Sequence, residues 1–318
     1  MKVLVTGASG FVGRAVVAQA VTDPSWLVAA AARRLQADCV PGSQPVVVGD
    51  LAPDTDWRSA VRSMDAIVHS AARVHVMRET ASSPLAAFRH VNVEGTLALA
   101  RQAAAAGVRR FVFVSSIKVN GEETPPGKPF KVEDVPLPLD PYGVSKLEAE
   151  VGLQQIAATT GMEVAIIRPS LVYGPGVKAN FLALLRCVHQ GIPLPLGCID
   201  NKRSFIALDN LVSLILACTT HPAAANQTFL AADGEDLSTP ELVRRMAMAM
   251  DRPARLLPVP PALLRRAAAL LGKRQAVQRL CGSLQVDISR ARERLNWSPA
   301  VSVNDALRST ANDFRGKL

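Results

Sequence analysis

The stretch Lys2-Val3-Leu4-Val5-Thr6-Gly7-Ala8-Ser9-Gly10-Phe11-Val12-Gly13 decides the fold. A short apolar run, a glycine-rich turn and an alanine- and valine-rich pattern follow one another, which predicts strand, turn and helix. In that order they form a phosphate cradle: glycines let the backbone approach a pyrophosphate whose charge faces the helix N-terminus. Gly7, Ser9, Gly10, Phe11, Val12 and Gly13 are therefore expected against a dinucleotide. A tight strand-to-helix turn without a ligand is the plainer alternative, and the position at the head of the chain's first strand weighs against it.

The second strand is expected at residues 27–32, with Arg33 and Arg34 next. An acid at this point bonds the ribose 2′-hydroxyl of NAD, whereas a basic residue accommodates the 2′-phosphate of NADP. Ala32 stands where the acid would be, so NADP(H) is favoured and NAD(H) is the second choice. Residues 45–48 predict a third strand ending in Gly49-Asp50-Leu51, and residues 66–69 a fourth running into Ser70-Ala71-Ala72. Small side chains at Ala71 and Ala72 let a flat cofactor lie close. Asp50, beside Leu51, could accept from an adenine amino group or else cap a turn. His69 reads as a satisfied core histidine and His75 as a candidate for the mouth of the site. Neither has the spaced companions that a metal would need.

Residues 84–106 carry a long helical pattern containing Asn92, closed by Gly107. Asn92 in a helix interior costs propensity that a buried hydrogen bond would offset. Residues 111–114 predict a buried strand that delivers Ser115 and Ser116 to the sheet edge where ligands gather. In Asp140-Pro141-Tyr142-Gly143-Val144-Ser145-Lys146, Asp140 suits a helix cap and Pro141 the first helical position. Tyr142 and Lys146 then share one helix face. A free phenol titrates near ~10 and needs a positive neighbour to serve at neutral pH; Lys146 could be that neighbour.

The ordered set Thr6-Gly7-x-x-Gly10-Phe11-x-Gly13, Asp50, Asn92-x-x-Gly95-Thr96, Ser115-Ser116, Tyr142-x-x-x-Lys146 and Arg168-Pro169 resembles the extended short-chain dehydrogenase/reductase family. The resemblance continues through Val172-Tyr173-Gly174-Pro175-Gly176 and residues 203–209. It implies an α/β fold with a Rossmann-type doubly wound parallel sheet and a smaller α/β C-terminal substrate domain. It also implies Tyr142 as acid–base, Lys146 lowering its pKa and holding the nicotinamide ribose, Ser116 bonding the reacting oxygen, and Pro169 beside the cofactor. In the family's sugar 4,6-dehydratases an Asp-Glu pair follows the catalytic hydroxyl residue. Ile117 and Lys118 stand there instead, so elimination lacks its carboxylates. Lys118 would bring positive charge near the substrate or simply face solvent. Asn120 replaces a usual tyrosine before the glycine.

Gly161 should end the Tyr142 helix, and a buried strand should follow over residues 162–168. We expect a cofactor domain over residues 1–170, with 203–220 packing back on it, and a substrate domain over 171–318. Asn180 opens a helix whose first turn could receive a diphosphate, and Arg203 could clamp phosphate or pyrimidine; their plainer readings are an N-cap and a surface salt bridge. Residues 263–273 predict an amphipathic basic helix that covers the small domain, contact with a membrane surface being the weaker alternative.

The net charge of +9 invites a nucleic-acid reading, but there is no Lys/Arg block and 4% aromatic content leaves few stacking platforms. No apolar run approaches the roughly 20 residues that cross a bilayer. Five cysteines without a C-x-x-C pair fit a reducing compartment, so a cytoplasmic protein is expected. The function expected first is reduction of the C4 keto group of a UDP-4-keto-6-deoxy-N-acetylhexosamine. UDP-hexose 4-epimerisation is the alternative, and a dinucleotide-sensing regulator a remote third. A UDP-sugar substrate and, by analogy with relatives, a homodimer complete the expectation.

Overall fold

The computed structural model describes residues 1–34, 39–74, 83–270, 272 and 274–317. Its strands are β1 (Lys2–Thr6), β2 (Leu27–Ala32), β3 (Gln44–Val47), β4 (Ala66–His69), β5 (Arg110–Val114), β6 (Glu163–Pro169), β7 (Leu171–Tyr173), β8 (Arg203–Ala207), β9 (Gln227–Ala231) and β10 (Asp236–Leu237). The helices that matter for the site are α1 (Phe11–Ala20), α2 (Arg58–Val61), α3 (Pro84–Phe88), α4 (Thr96–Ala105), α5 (Pro141–Thr160), α6 (Ala179–His189), α7 (Leu208–Thr220) and α8 (Thr239–Ala249).

Seven parallel strands form one sheet in the order β3-β2-β1-β4-β5-β6-β9. This is the doubly wound parallel sheet expected, and its central strands are apolar runs because helices cover both faces. Leu4, Ile67, Phe111 and Phe113 point to the face where Leu99 of α4 and Leu153 of α5 pack. Val3, Val5, Val68 and Val112 point the other way, towards Val16 of α1 and Leu211 and Ile215 of α7. A second sheet, β10-β8-β7, anchors the smaller lobe around Tyr173, Phe181, Phe205, Met246 and Phe314. Phe11 packs against both clusters.

The strand order reverses between β1 and β4, so the crevice for a ligand opens where Thr6-Gly7 and His69-Ser70 leave the sheet. Three features depart from the sequence reading. The seventh strand, β9, comes from late in the chain and had no distinct signal. Residues 203–220 divide, β8 joining the small sheet while α7 packs on α1 and β5. The long helix over 84–106 is not uniform: α3 and α4 are joined by a π-helical stretch, Arg89–Gly95.

Candidate active site

Gly7 has φ +68° and sits so close to the loop after β4 that a Cβ would lie 2.7 Å from the Ala71 nitrogen. At Gly13 a Cβ would lie 2.2 Å from the Gly7 oxygen and 2.6 Å from Ser70 Oγ. These two glycines let the turn close onto α1 and β4. Gly10, by contrast, is exposed, and its added Cβ would meet only the Gly7 oxygen, at 3.1 Å. Its outer face is open. No side chain caps α1, and the Phe11 and Val12 amides find no acceptor among the described residues. Open glycine, uncapped helix start and free amides suit a pyrophosphate. Ser9 is exposed, and Ala71 and Ala72 lie half-buried at the end of β4.

At the rim, β2 ends at Ala32 without an acid. Arg33 turns to Asp50, 3.5 Å away, with both side chains largely exposed. Arg34 and Arg14 line a shallow depression together with Ala8, Ser9, Ala32 and Cys39. Leu51 is half-buried and would be struck by a side chain at Gly95, 3.0 Å from its Cγ. Pro169 is buried at the end of β6, opposite Ala231 of β9. His75 lies outside the described residues.

Asp140 caps α5 as expected: its Oδ1 accepts from the Gly143 amide at 2.7 Å, and Pro141 takes the first helical position. Gly161, at φ +76°, closes the helix. This fixes Tyr142 and Lys146 on one face, with the Tyr142 ring edge-on to Phe88 at 6.0 Å. Lys146 is 2% exposed, and its Nζ donates to the Val114 carbonyl at 2.8 Å and lies 4.4 Å from the centre of the Phe113 ring. The same ammonium is 6.0 Å from the centre of the Tyr142 ring. Burial pushes the Lys146 ammonium down to about 7, opposed by the charge of Glu150. Burial, and secondly the Asp140 carboxylate, push the Tyr142 phenol upward.

Ser116 caps a short 3-10 turn, Ile117–Val119, and its Oγ accepts from the Lys118 amide at 3.3 Å. With that lone pair occupied, its O–H remains to donate to a ligand. Lys118 is not a simple solvent-facing lysine: its Nζ pairs with Asp140 and, at 3.2 Å, with Glu122.

Beneath the site lies a network that the sequence reading missed. Ser115 Oγ donates to Glu150 Oε1 at 2.5 Å instead of reaching a ligand. Arg168 grips the same carboxylate through Nη2 at 2.6 Å and Nε at 3.0 Å, and donates to Asn120 Oδ1 at 2.9 Å. Asn120, whose substitution for tyrosine suggested altered substrate contact, is 2% exposed and serves this network. An arginine inside the apolar run of β6 was the available signal, since a buried guanidinium requires a partner. Asn92 is buried and bonds both to the Arg73 backbone, at 2.8 and 3.0 Å, and to Ser145 Oγ, at 3.0 Å. His69, fully buried, touches Thr6 Oγ1 at 2.7 Å and Thr96 Oγ1 at 2.9 Å. It is the satisfied core histidine expected. Burial, reinforced by the charge of Lys146, holds its pKa down to about 3.

On the substrate side, Lys178 rather than Asn180 is the N-cap of α6, because the backbone is still extended there; Asn180 is exposed in the first turn. Arg203 makes no ion pair among the described residues. It donates to the Gly282 carbonyl at 2.9 Å, and burial lowers its pKa. Neither plain reading, cap or surface salt bridge, describes these two residues. Among the described residues no helix is long and apolar enough to cross a membrane.

Residues 3–232 match the model of the NAD dependent epimerase/dehydratase family. The chain is 47% identical to a UDP-glucose 4-epimerase of Vibrio cholerae over 98% of its own length and 95% of the relative's. It is 27% identical to a GDP-6-deoxy-D-mannose reductase of Pseudomonas aeruginosa, over 100% of this chain and 98% of that one. Among solved structures it is similar in fold to UDP-glucuronic acid 4-epimerase from Bacillus cereus in complex with NAD, with a TM-score of 0.80 at 20% identity, covering 100% of this chain and 99% of that one.

Proposed function

The chain belongs to the NAD-dependent epimerase/dehydratase family, the extended short-chain dehydrogenases/reductases, and on that premise we propose that it inverts carbon 4 of a UDP-hexose. The observation that carries the reading is the near full-length likeness to the Vibrio cholerae 4-epimerase; it is supported by Ser116 lying just after β5 while Lys146 Nζ sits on the Val114 carbonyl at the end of that strand and 6.0 Å from the Tyr142 ring. The coarser reading, enzyme chemistry on a nucleotide sugar, is common to that relative and to the Pseudomonas aeruginosa reductase.

The dinucleotide, when bound, supplies the oxidation and reduction at carbon 4. The residues of this chain handle the proton. Tyr142 takes it from the sugar hydroxyl and gives it back, Ser116 donates to the same oxygen, and Lys146 favours the phenolate by its charge. The amides at the start of α1 hold the pyrophosphate, and Asn180 and Arg203 meet the nucleoside diphosphate of the sugar. Nothing at Ile117 and Lys118 supplies the carboxylates of a dehydratase.

A second reading, reduction of a UDP-4-keto-6-deoxy-N-acetylhexosamine with NADPH, is favoured by one observation. The depression at the end of β2 is lined by Arg14 and Arg34, and among its described lining residues there is no acid. The two differ in cofactor economy, since an epimerase regenerates its NAD in every cycle. Purified protein incubated with UDP-galactose should form UDP-glucose without added cofactor. Consumption of NADPH with the 4-keto sugar, and no interconversion of the hexoses, would establish the reductase instead. In that case Arg34→Ala should lower the NADPH-to-NADH preference.

A further inference from the structure

Lys118 reaches both halves of the proton-handling site. Its main-chain amide donates to Ser116 Oγ, and its ammonium pairs with Asp140, the carboxylate that also caps α5 two residues before Tyr142. Packing keeps the two elements together: a side chain at Gly143 would lie 2.9 Å from the Lys118 oxygen. Lys118 is only 24% exposed and Asp140 16%, so water screens the pair incompletely.

We propose that Lys118 is a positioning residue for the proton-handling site: it fixes the Ser116 hydroxyl through its backbone and neutralises the Asp140 carboxylate beside Tyr142 through its side chain. This deepens the epimerase or reductase reading, on which its catalytic meaning rests. Asp140 is needed as a cap but carries a charge that opposes phenolate formation. A neutral Ser or Asn cap would avoid that conflict; this chain keeps the acid and answers it with a lysine. Among the described residues, the other charged groups around Tyr142 are Lys146 on its own helix, Glu122 on Lys118, Arg73 over the Phe88 ring, and the Arg89–Glu148 pair further along α5.

The chain has two tyrosines, Tyr142 and Tyr173, and Tyr173 donates to the Asp233 carboxylate in the small lobe. Replacing both by a difluorotyrosine of lower intrinsic pKa lets fluorine NMR follow Tyr142 without substrate, its signal assigned by loss in Tyr142→Phe. In Lys118→Met the Tyr142 signal should titrate about one pH unit higher, the size expected of an uncompensated neighbouring charge. Lys118→Arg should match the parent, and adding Asp140→Ser to Lys118→Met should return the titration to it, since serine keeps the cap without the charge. An unmoved signal in Lys118→Met, or a raised one that Asp140→Ser does not reverse, would overturn the proposal. Should Lys118→Met not fold, Asp140→Ser alone must lower the Tyr142 titration, and no change there would equally overturn it. In the turnover assay the limb of the pH–rate profile that reports Tyr142 should move with the NMR titration. Absence of turnover in the parent protein would count against the functional reading alone, because the NMR titration needs no reaction.

Discussion

His69 should make the protein measurably acid-labile, and the size of the effect follows from its surroundings. The ring is fully buried between two threonine hydroxyls and stacked on Phe113 with centroids 5.8 Å apart. Both hydroxyls could accept from an imidazolium, so hydrogen bonding does not forbid protonation. Burial and the nearby Lys146 charge do, holding the pKa at about 3 against an ordinary 6.5. The unfolded chain therefore binds a proton below 6.5 that the native ring refuses until about 3, and stability falls as pH falls through that window. The gap, at about 1.4 kcal/mol per pH unit, sets a ceiling near 5 kcal/mol; at about pH 4.5 the loss from this one group should be roughly 2–3 kcal/mol relative to neutral pH. Urea unfolding of the parent and of His69→Gln, which keeps polar atoms but does not titrate, isolates the contribution as a difference in slope. The variant should be weaker at neutral pH and lose less on acidification. Two curves running parallel from neutral to about pH 4.5 would refute the burial argument, because the native ring would then accept its proton as readily as the unfolded one.

Three further outcomes are expected. Tyr142→Phe should lower turnover about 100- to 10,000-fold while leaving the unfolding midpoint within about 1 kcal/mol of the parent, as checked by product formation and urea denaturation. Gly13→Ala places a methyl group 2.2 Å from the Gly7 oxygen. It should cost about 1–3 kcal/mol of stability and weaken dinucleotide binding, read by cofactor fluorescence titration. Arg168→Met leaves the Glu150 carboxylate buried without its cation and should cost about 3–5 kcal/mol, most of it recovered in Arg168→Met/Glu150→Leu, which removes the stranded charge as well.

Local signals were legible from sequence where one short segment determined them. The cradle needed only consecutive residues, and so did β2 and β4, whose ends match the expected boundaries at Leu27, Ala32, Ala66 and His69. The two ends of α5 were equally readable, because Asp140, Pro141 and Gly161 are local capping chemistry. Strand β9 was not readable, since its place beside β6 depends on pairing partners some sixty residues earlier, such as Ile167 with Phe229. The pairing of Lys118 was not readable for the same reason: its partner Asp140 lies 22 residues away in sequence. The contact between Ser115 and Glu150 spans 35 residues and crosses from strand edge to helix, which no periodicity predicts.

The wide turn at Arg89–Gly95 carries one more consequence. In an α-helix each residue advances the face by about 100°. Trimming a single amino acid from this segment so that it reverts to ordinary winding would swing everything downstream by that angle. Thr96 would leave His69, and Leu99 and Ala103 would rotate off the sheet they cover. The segment's length is fixed by its packing, so an insertion or deletion at this point should be as damaging as one in the middle of β5, although Arg89, His90 and Glu94 face solvent.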